Sequence, residues 1–439
     1  MLNLLGIFVA FIFMMYFAFK DMSVVYLSAA AAFIVAAFNG MPLVDTFLNV
    51  YLKGAGGYFG TYVAVLLFGA IMGRLYSVSG AAVSIADTIA KAFFKENQTP
   101  EKKQRTAILV ILLAGGVLAY GGINLIVLVF TLYPLVLDIC HKADIPKRFI
   151  CGLVMGGIAT YSMTGPGSPQ LPNVVPMDIL GTASTSALIP GIVGMIVEII
   201  VMVIVLDKMI TKARNNGEHF AYGPKDVVFD ETMEKPAFIV SLLPLIIIFV
   251  LFNFFSMNLS IALIYGLLAA TVLFYKYYKK SETLTSLYNA GIISGSVAIV
   301  NISMVIGFGN VVKAAPGFIV LIEALTAMQG NPYVVLAFAV AVACVFGGTA
   351  SAGNMLVLPV LAPYFTKMGV SAGALHRISA FASSTLDTIP TSATLLMVLA
   401  HTDTSLKDGY GPAFATTVFA TSIGTAAVVI LIALFPALA

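Results

Sequence analysis

The sequence predicts an all-α polytopic membrane protein built from two inverted repeats, each with about five spanning helices, one re-entrant hairpin and a broken helix. Three observations predict it. The 439-residue chain is 60% hydrophobic and only 10% charged, with mean hydropathy +1.01, whereas soluble domains carry roughly 25% charged residues. Apolar runs near the ~20 residues needed to cross a bilayer recur along it. The same series of features also appears twice, on either side of a charged stretch at 207–235.

The first repeat, 1–206, opens with the runs Leu2–Phe19 and Met22–Phe38; the second, 236–439, opens with Ala237–Phe255 and Leu259–Tyr275. The first run reads as a span rather than a signal peptide, because no positive charge precedes it and another span follows Asp21 at once. Each repeat continues with a glycine-interrupted segment, "GRLYSVSGAAVSIADTI" from Gly73 and "GNVVKAAPGFIVLIEAL" from Gly309. Next come apolar stretches with a central "GG", at about 106–140 and about 331–365. Each limb is short for a full crossing once a glycine turn is removed, so both read as re-entrant hairpins. An arginine follows (Arg148, Arg377), then a helix broken at "TGPGS" (164–168) or "TIPTS" (388–392). The broken helices span about 148–180 and about 372–402, and a last apolar run closes each half, Ala183–Leu206 and Pro412–Ala437.

Lys and Arg favour the cytoplasmic side. With both termini outside, segments 91–105, 141–148, 207–235 and 276–280 fall inside, and 207–235 becomes a cytoplasmic linker. Of the 23 Lys and Arg, the exceptions are Lys53, Arg74, Lys313, Lys367 and Arg377. Reading the hairpins as simple two-span pairs gives the same sidedness.

Irregular backbone at membrane depth must be buried in protein or line a wet cavity. In "TGPGSPQLPN" (164–173), three prolines remove donors and two glycines permit turns. The break therefore separates two half-helices, whose N-termini favour anions and C-termini cations. Paired broken helices in inverted repeats are the pattern of secondary transporters. The competing reading of one such motif is a kink, and a second break in the matching place weighs against it. Asp387 beside "TIPTS" has no other charge between Arg377 and Asp403; an intramembrane carboxylate is costly and usually functional. It is expected to carry a coupling proton or hold a cation, against the alternative of a helix cap. Glu198, alone in "MIVEIIVMVIV", is expected to pair within the bundle or stay neutral. Arg74 and Lys313 read as snorkelling or paired, and Asp87 and Glu323 as caps or pairs.

No GxxxxGK[ST], GxSxG or HExxH occurs, which excludes a P-loop pump and argues against a membrane-integral enzyme. No cofactor, metal or nucleic-acid partner is expected. The three cysteines form no CxxC and read as membrane-core thiols. Energy for transport then comes from an ion gradient, or transport is passive.

"GAIMGRLYSVSGAAVSIADTI", "TLYPLVLDICHKADIPKRFI", "TGPGSPQLPNVVP", "GGTASAGN" and "STLDTIPTSATLL" resemble the gluconate:proton symporter (GntP) family and its citrate-transporter-like relatives, within the ion transporter superfamily. The resemblance implies a multi-pass inner (plasma) membrane importer of a small carboxylate, coupled to protons, working as an elevator-type homodimer. It implies substrate contacts at the hairpin tips, Gly121, Gly122, Asn124, Thr349, Ser351 and Asn354. At the breaks it implies Thr164, Ser168, Gln170, Asn173, Thr388, Thr391 and Ser392, with Asp387 for ion coupling. The breaks lack the Ser-Asn-Thr triplets of the sodium-coupled dicarboxylate branch, which favours protons over sodium. Gluconate or a 3-hydroxybutyrate-like hydroxy acid is the expected substrate. The alternatives are a citrate or dicarboxylate transporter and a sodium/proton antiporter of the same superfamily.

Overall fold

The computed structural model describes residues 2–439 apart from 19, 21, 96–97, 124, 224–225, 227–233, 280, 327–329, 348 and 391. The described residues form helices and no strand. The first half contains α1 (Leu2–Ala18), α2 (Val24–Phe38), α3 (Leu43–Val78), α4 (Ala81–Phe93), α5 (Pro100–Tyr120) and α6 (Leu125–Lys142). It ends with α7 (Ile150–Ile158), a single turn at Tyr161–Thr164, α8 (Leu171–Leu180) and α9 (Leu188–Asn215). The second half contains α10 (Phe238–Asn253), α11 (Leu259–Leu273), α12 (Leu284–Ala314), α13 (Pro316–Thr326), α14 (Pro332–Gly347) and α15 (Ala350–Lys367). It ends with α16 (Ala372–Ser383), α17 (Ala393–His401) and α18 (Leu406–Leu434).

Two long helices, α3 and α12, pack antiparallel through the middle. Their register is legible in the glycines: a Cβ at Gly291 would meet Ile71, one at Gly295 would meet Leu67, and one at Gly307 would meet Tyr51. Small residues let two helix backbones approach where no hydrophobic force drives them together. The outer helices carry apolar residues on the side facing away from the protein. In α9, Ile189, Ile192, Ile196, Ile200 and Ile204 are exposed along one stripe, while Gly191, Gly194, Glu198, Met202 and Leu206 on the opposite face are buried. That pattern suits a helix whose outer face meets hydrocarbon. Among the described residues five helices (α3, α5, α9, α12 and α18) are long and apolar enough to cross a membrane.

The charged segments gather on one face. Arg105 pairs with Asp207, Arg148 with Glu218, Lys147 with Asp226, Arg214 and His219 with Asp144, and Lys235 with Asp87. Arg74, counted among the outside exceptions, pairs instead with Glu282, next to the basic segment 276–280. The long α3 delivers it to that face. Arg377 is not at a surface at all: it is fully buried.

The hairpin limbs are 21 and 18 residues in α5 and α6, and 16 and 18 in α14 and α15. The limb α5 exceeds the expected length because its first two turns, with Glu101, Lys102, Lys103 and Arg105, belong to the charged face. Thr99 caps it by accepting from the Lys102 amide, with Pro100 at the first helical position. At the tip Gly122 adopts φ +79, a left-handed turn that suits glycine.

Candidate functional site

A cavity of about 190 Å³ lies where the two hairpin tips and the two breaks converge. On this measure it has room for on the order of ten waters, or a small organic acid. Its polar lining is Gln170 from the first break, Thr349 and Ser351 from the second hairpin tip, and Asp387, Thr388, Ser392 and Thr394 from the second break. Gly122 contributes backbone from the first tip; Leu66, Met155, Met163, Leu263 and Ile302 supply apolar walls. Among the described lining residues Asp387 is the one ionisable group.

Three helices begin at this cavity. Gln170 precedes α8, Thr349 precedes α15, and Ser392 precedes α17. Thr349 caps α15 by accepting from the Ala352 amide, and Ser392 donates its own amide to the Ile389 carbonyl. Converging N-termini supply partial positive charge and free backbone donors. Asp387 is half-buried, and its Oδ1 accepts from the Thr388 hydroxyl at 2.9 Å. Gln170 links break and tip, donating from Nε2 to the Ala119 carbonyl at 2.7 Å.

The first break is built differently. Thr164, Ser168 and Asn173 are fully buried and do not line the cavity. The Ser168 hydroxyl donates to the Ser162 carbonyl at 2.6 Å and accepts from the Gln170 amide. Asn173 Nδ2 donates to the carbonyls of Ser168 and Ser184. From the other half of the chain, Arg377 threads into this loop. Its Nη1 donates to Thr164 O at 2.6 Å and to Asn173 Oδ1 at 3.0 Å, and its Nη2 and Nε reach Ser184 O and Ser186 O. His376 Nε2 lies 3.0 Å from the same Asn173 Oδ1, and its Nδ1 lies 2.6 Å from Thr182 Oγ1. An amide oxygen cannot donate, so the network assigns the proton to Nε2 and leaves Nδ1 to accept from Thr182. Carbonyls freed by the missing helical turns thus find their donors in one guanidinium, whose planar fork suits several acceptors at once.

Gly122, Gln170, Thr349, Ser351, Thr388 and Ser392 therefore meet Asp387 at one cavity. Thr164, Ser168 and Asn173 instead brace the loop behind it. Gly121 packs against α10, where an added Cβ would come within 2.5 Å of Leu245. Asn354 is fully buried one turn beyond Ser351, with neither amide atom bonded to the protein. Asn124 and Thr391 lie outside the described residues. Sequence reasoning missed Thr394 and the bracing role of Arg377 and His376. A lone arginine in an otherwise uncharged helix was the available signal, since such a residue must find polar partners inside the bundle.

The family model described as GntP family permease matches residues 1–258. The chain belongs to the GntP permease family. It is accordingly a membrane transporter, and the exposed isoleucine stripe of the permease is the surface such a protein turns to lipid. Among curated proteins the permease is similar to the uncharacterized transporter YxjC of Bacillus subtilis, 26% identical over 469 residues and covering 96% of each chain. It is also similar to an uncharacterized transporter of Haemophilus influenzae, 26% identical over 206 residues, 46% of this chain and 44% of the other. Among solved structures it resembles the YdaH transporter of Alcanivorax borkumensis, described as having an unusual topology. The TM-score is 0.52 at 15% identity, over 90% of this chain and 89% of that one. This last likeness concerns the fold alone.

Proposed function

We propose that this permease imports a small hydroxy-monocarboxylate, of the gluconate or 3-hydroxybutyrate kind, by proton symport. One observation carries the reading: a single cavity, lined from both halves of the chain, presents three helix N-termini, a set of hydroxyl and amide groups, and one carboxyl group, Asp387. The N-termini complement a substrate carboxylate. Gln170, Thr349, Ser351, Thr388 and Ser392 offer partners for its hydroxyls. Among the described lining residues there is no Lys or Arg, which suits a monovalent anion better than citrate. Asp387 takes the coupling proton: neutral, it tolerates the bound anion beside it; ionised, it repels it. Loading substrate and proton together follows from that electrostatic coupling.

The two-halved construction of the site supports alternating access by an elevator-type movement of the hairpins and breaks against the α3–α12 pair. Placement in the cell inner membrane and assembly as a homodimer belong to the same reading.

The test is uptake by the purified full chain in proteoliposomes, with a panel of labelled carboxylates under imposed proton and sodium gradients. Accumulation of a hydroxy-monocarboxylate when the outside is acidic is the expected result. Uptake of citrate driven by sodium, or sodium-driven proton flux with no organic anion moved, overturns it.

A further inference from the structure

Glu198 stands apart from the cavity and from every ion pair. It lies on α9 ten residues from Leu188, where the helix starts, and nine from Asp207, the next charged residue, about 15 Å from each at 1.5 Å per residue, hence near mid-membrane. It is fully buried, and neither carboxyl oxygen has a hydrogen-bond partner. An ionised carboxylate left unpaired in such a place is untenable, and even the neutral acid leaves a donor and acceptors unsatisfied. A leucine would fill the space at less cost.

The wall opposite is shaped around it. α18 presents Gly424, where an added Cβ would lie 2.7 Å from Glu198 Oε1, so the carboxyl occupies the room that a side chain would take. Thr421 and Thr425 flank Gly424 in sequence and are buried, each hydroxyl donating to a carbonyl of its own helix. Such hydroxyls can turn to a new partner without stranding a backbone group. The segment just before, Ala415–Ala420, is π-helical, a form common at functional sites and able to shift register. Thr421 also reaches the carbonyl of Ser384, three residues before Asp387. The second break and the wall over Glu198 therefore belong to one hydrogen-bonded unit.

Other groups near Glu198 do not neutralise it. On α18 the titratable residues Lys407, Asp408 and Tyr410 all lie in its first two turns, far along the helix from Gly424, and 415–434 carries none. α5 brings Tyr120 and the turn at Tyr161–Thr164 brings Tyr161, both within electrostatic reach. Tyr120 contacts Met195 Sδ and Pro166 O, and Tyr161 donates to Leu112 O. Arg377 approaches α9 at Gly191, about two turns away, and is committed to the first break.

We propose that Glu198 is a second proton-binding group of this transporter, held neutral between α9 and α18 in this conformation and deprotonated when that packing opens during the transport cycle. The O–H proton passes to water entering the opened interface and leaves a solvated carboxylate. Water on the other side returns a proton before the interface closes. The inference extends the proton-symport reading above to a second proton.

The test compares the wild type with Glu198→Gln in proteoliposomes, using labelled gluconate and 3-hydroxybutyrate. A proton coupled to uptake raises the attainable concentration ratio about tenfold per unit of pH gradient. Glu198→Gln should therefore lower accumulation about tenfold at a one-unit gradient, with substrate exchange at equal pH within about twofold of wild type. Accumulation at the wild-type level overturns the proposal and leaves Glu198 as packing. Should the amide fail to fold, Glu198→Leu, which removes the unsatisfied polar atoms, gives the same readout. If the wild type itself shows no pH-driven uptake, the symport reading fails, and infrared spectroscopy of the full chain in lipid decides on Glu198. A protonated-carboxyl band that Glu198→Gln removes, and that titrates with the medium, sustains it as an exchangeable proton site. A band that stays fixed over the whole pH range, or survives the substitution, overturns it.

Discussion

The two helix breaks occupy matching places in the two halves and are made of the same residue types, yet they do different work. The break at 164–173 is mostly sealed: Thr164, Ser168 and Asn173 are fully buried and bonded to protein, Arg377 donates to Thr164 O and Asn173 Oδ1, and the polar side chain it turns to the cavity is Gln170. The break at 384–392 is open: Asp387, Thr388 and Ser392 line the cavity, and the hydroxyl of Thr388 is engaged with Asp387. Irregular backbone inside a membrane has two tolerable environments, protein or a wet cavity; the first break relies mainly on protein and the second mainly on the cavity. The sealed break holds the frame against which the open one can bind and release.

Substitutions that remove the seal should have the largest effect. Arg377→Ala strands the carbonyls of Thr164 and Ser186, and takes one of several donors from Ser184 O and from the amide oxygen of Asn173. Unsatisfied buried acceptors cost about 1–3 kcal/mol each, so a loss of about 2–6 kcal/mol is expected, read as a fall in melting temperature in detergent or as loss of folded protein. Lysine should not rescue it, because a single ammonium cannot reach acceptors spread over a planar fork. Normal stability of Arg377→Ala would remove the distinction between the breaks.

At the open break the expected effect falls on transport and leaves the fold intact. Asp387→Asn keeps shape and most hydrogen bonds but cannot take a proton. It should abolish accumulation driven by a pH gradient while leaving substrate exchange measurable. Undiminished pH-driven accumulation would reduce Asp387 to a helix-end group, since Asn caps about as well as Asp.

The two serines separate the regions more finely. Ser392→Ala should weaken apparent substrate affinity roughly five-fold to a hundredfold, the equivalent of about 1–3 kcal/mol, with little change in stability. Ser168→Ala should do the reverse, costing about 1–2 kcal/mol of stability, because its hydroxyl bridges Ser162 O and the Gln170 amide. Binding titrations and thermal melts on both variants check the pair; equal effects on affinity would merge the two breaks into one site.

The smallest effect is expected far from both, at the linker. Asp226 accepts from Lys147 Nζ at 2.8 Å, Tyr133 Oη at 2.8 Å and the Gly223 amide at 2.6 Å. Burial raises its pKa, but the Lys147 and Gly223 hydrogen bonds outweigh this and hold it below the usual value of 3.8. A carboxyl depressed in the folded state adds stability above its unfolded pKa and loses it as the pH falls through the folded one. The clasp should therefore leave stability flat from neutral pH down to about 5 and weaken only below about 4. Melting curves of wild type and Asp226→Asn across that range should converge at the acid end.

Much of the helix order was legible in the sequence, because apolar runs, glycine pairs and proline clusters act locally. Asp387 and Ser392 were legible for the same reason: a carboxylate and a proline-flanked serine in an apolar stretch have few tolerable environments. Ser168 and Asn173 carried an identical local signal and turned out to face protein. The partners of Asn173, Arg377 and His376, lie about 200 residues away, and no local pattern encodes which break meets a guanidinium and which meets a cavity.

The sequence by itself determined that this protein is helical, lives in a membrane, and interrupts its helices at two matched places, because burying apolar side chains and satisfying backbone groups are requirements of each segment alone. The tertiary structure decided which interruption is closed and which is open. It also brought Arg74 to the charged face and set Glu198 against the bare backbone of Gly424. Those outcomes depend on which helices pack together, and in a bilayer, where every outer face is equally apolar, close fit between particular surfaces selects the partners.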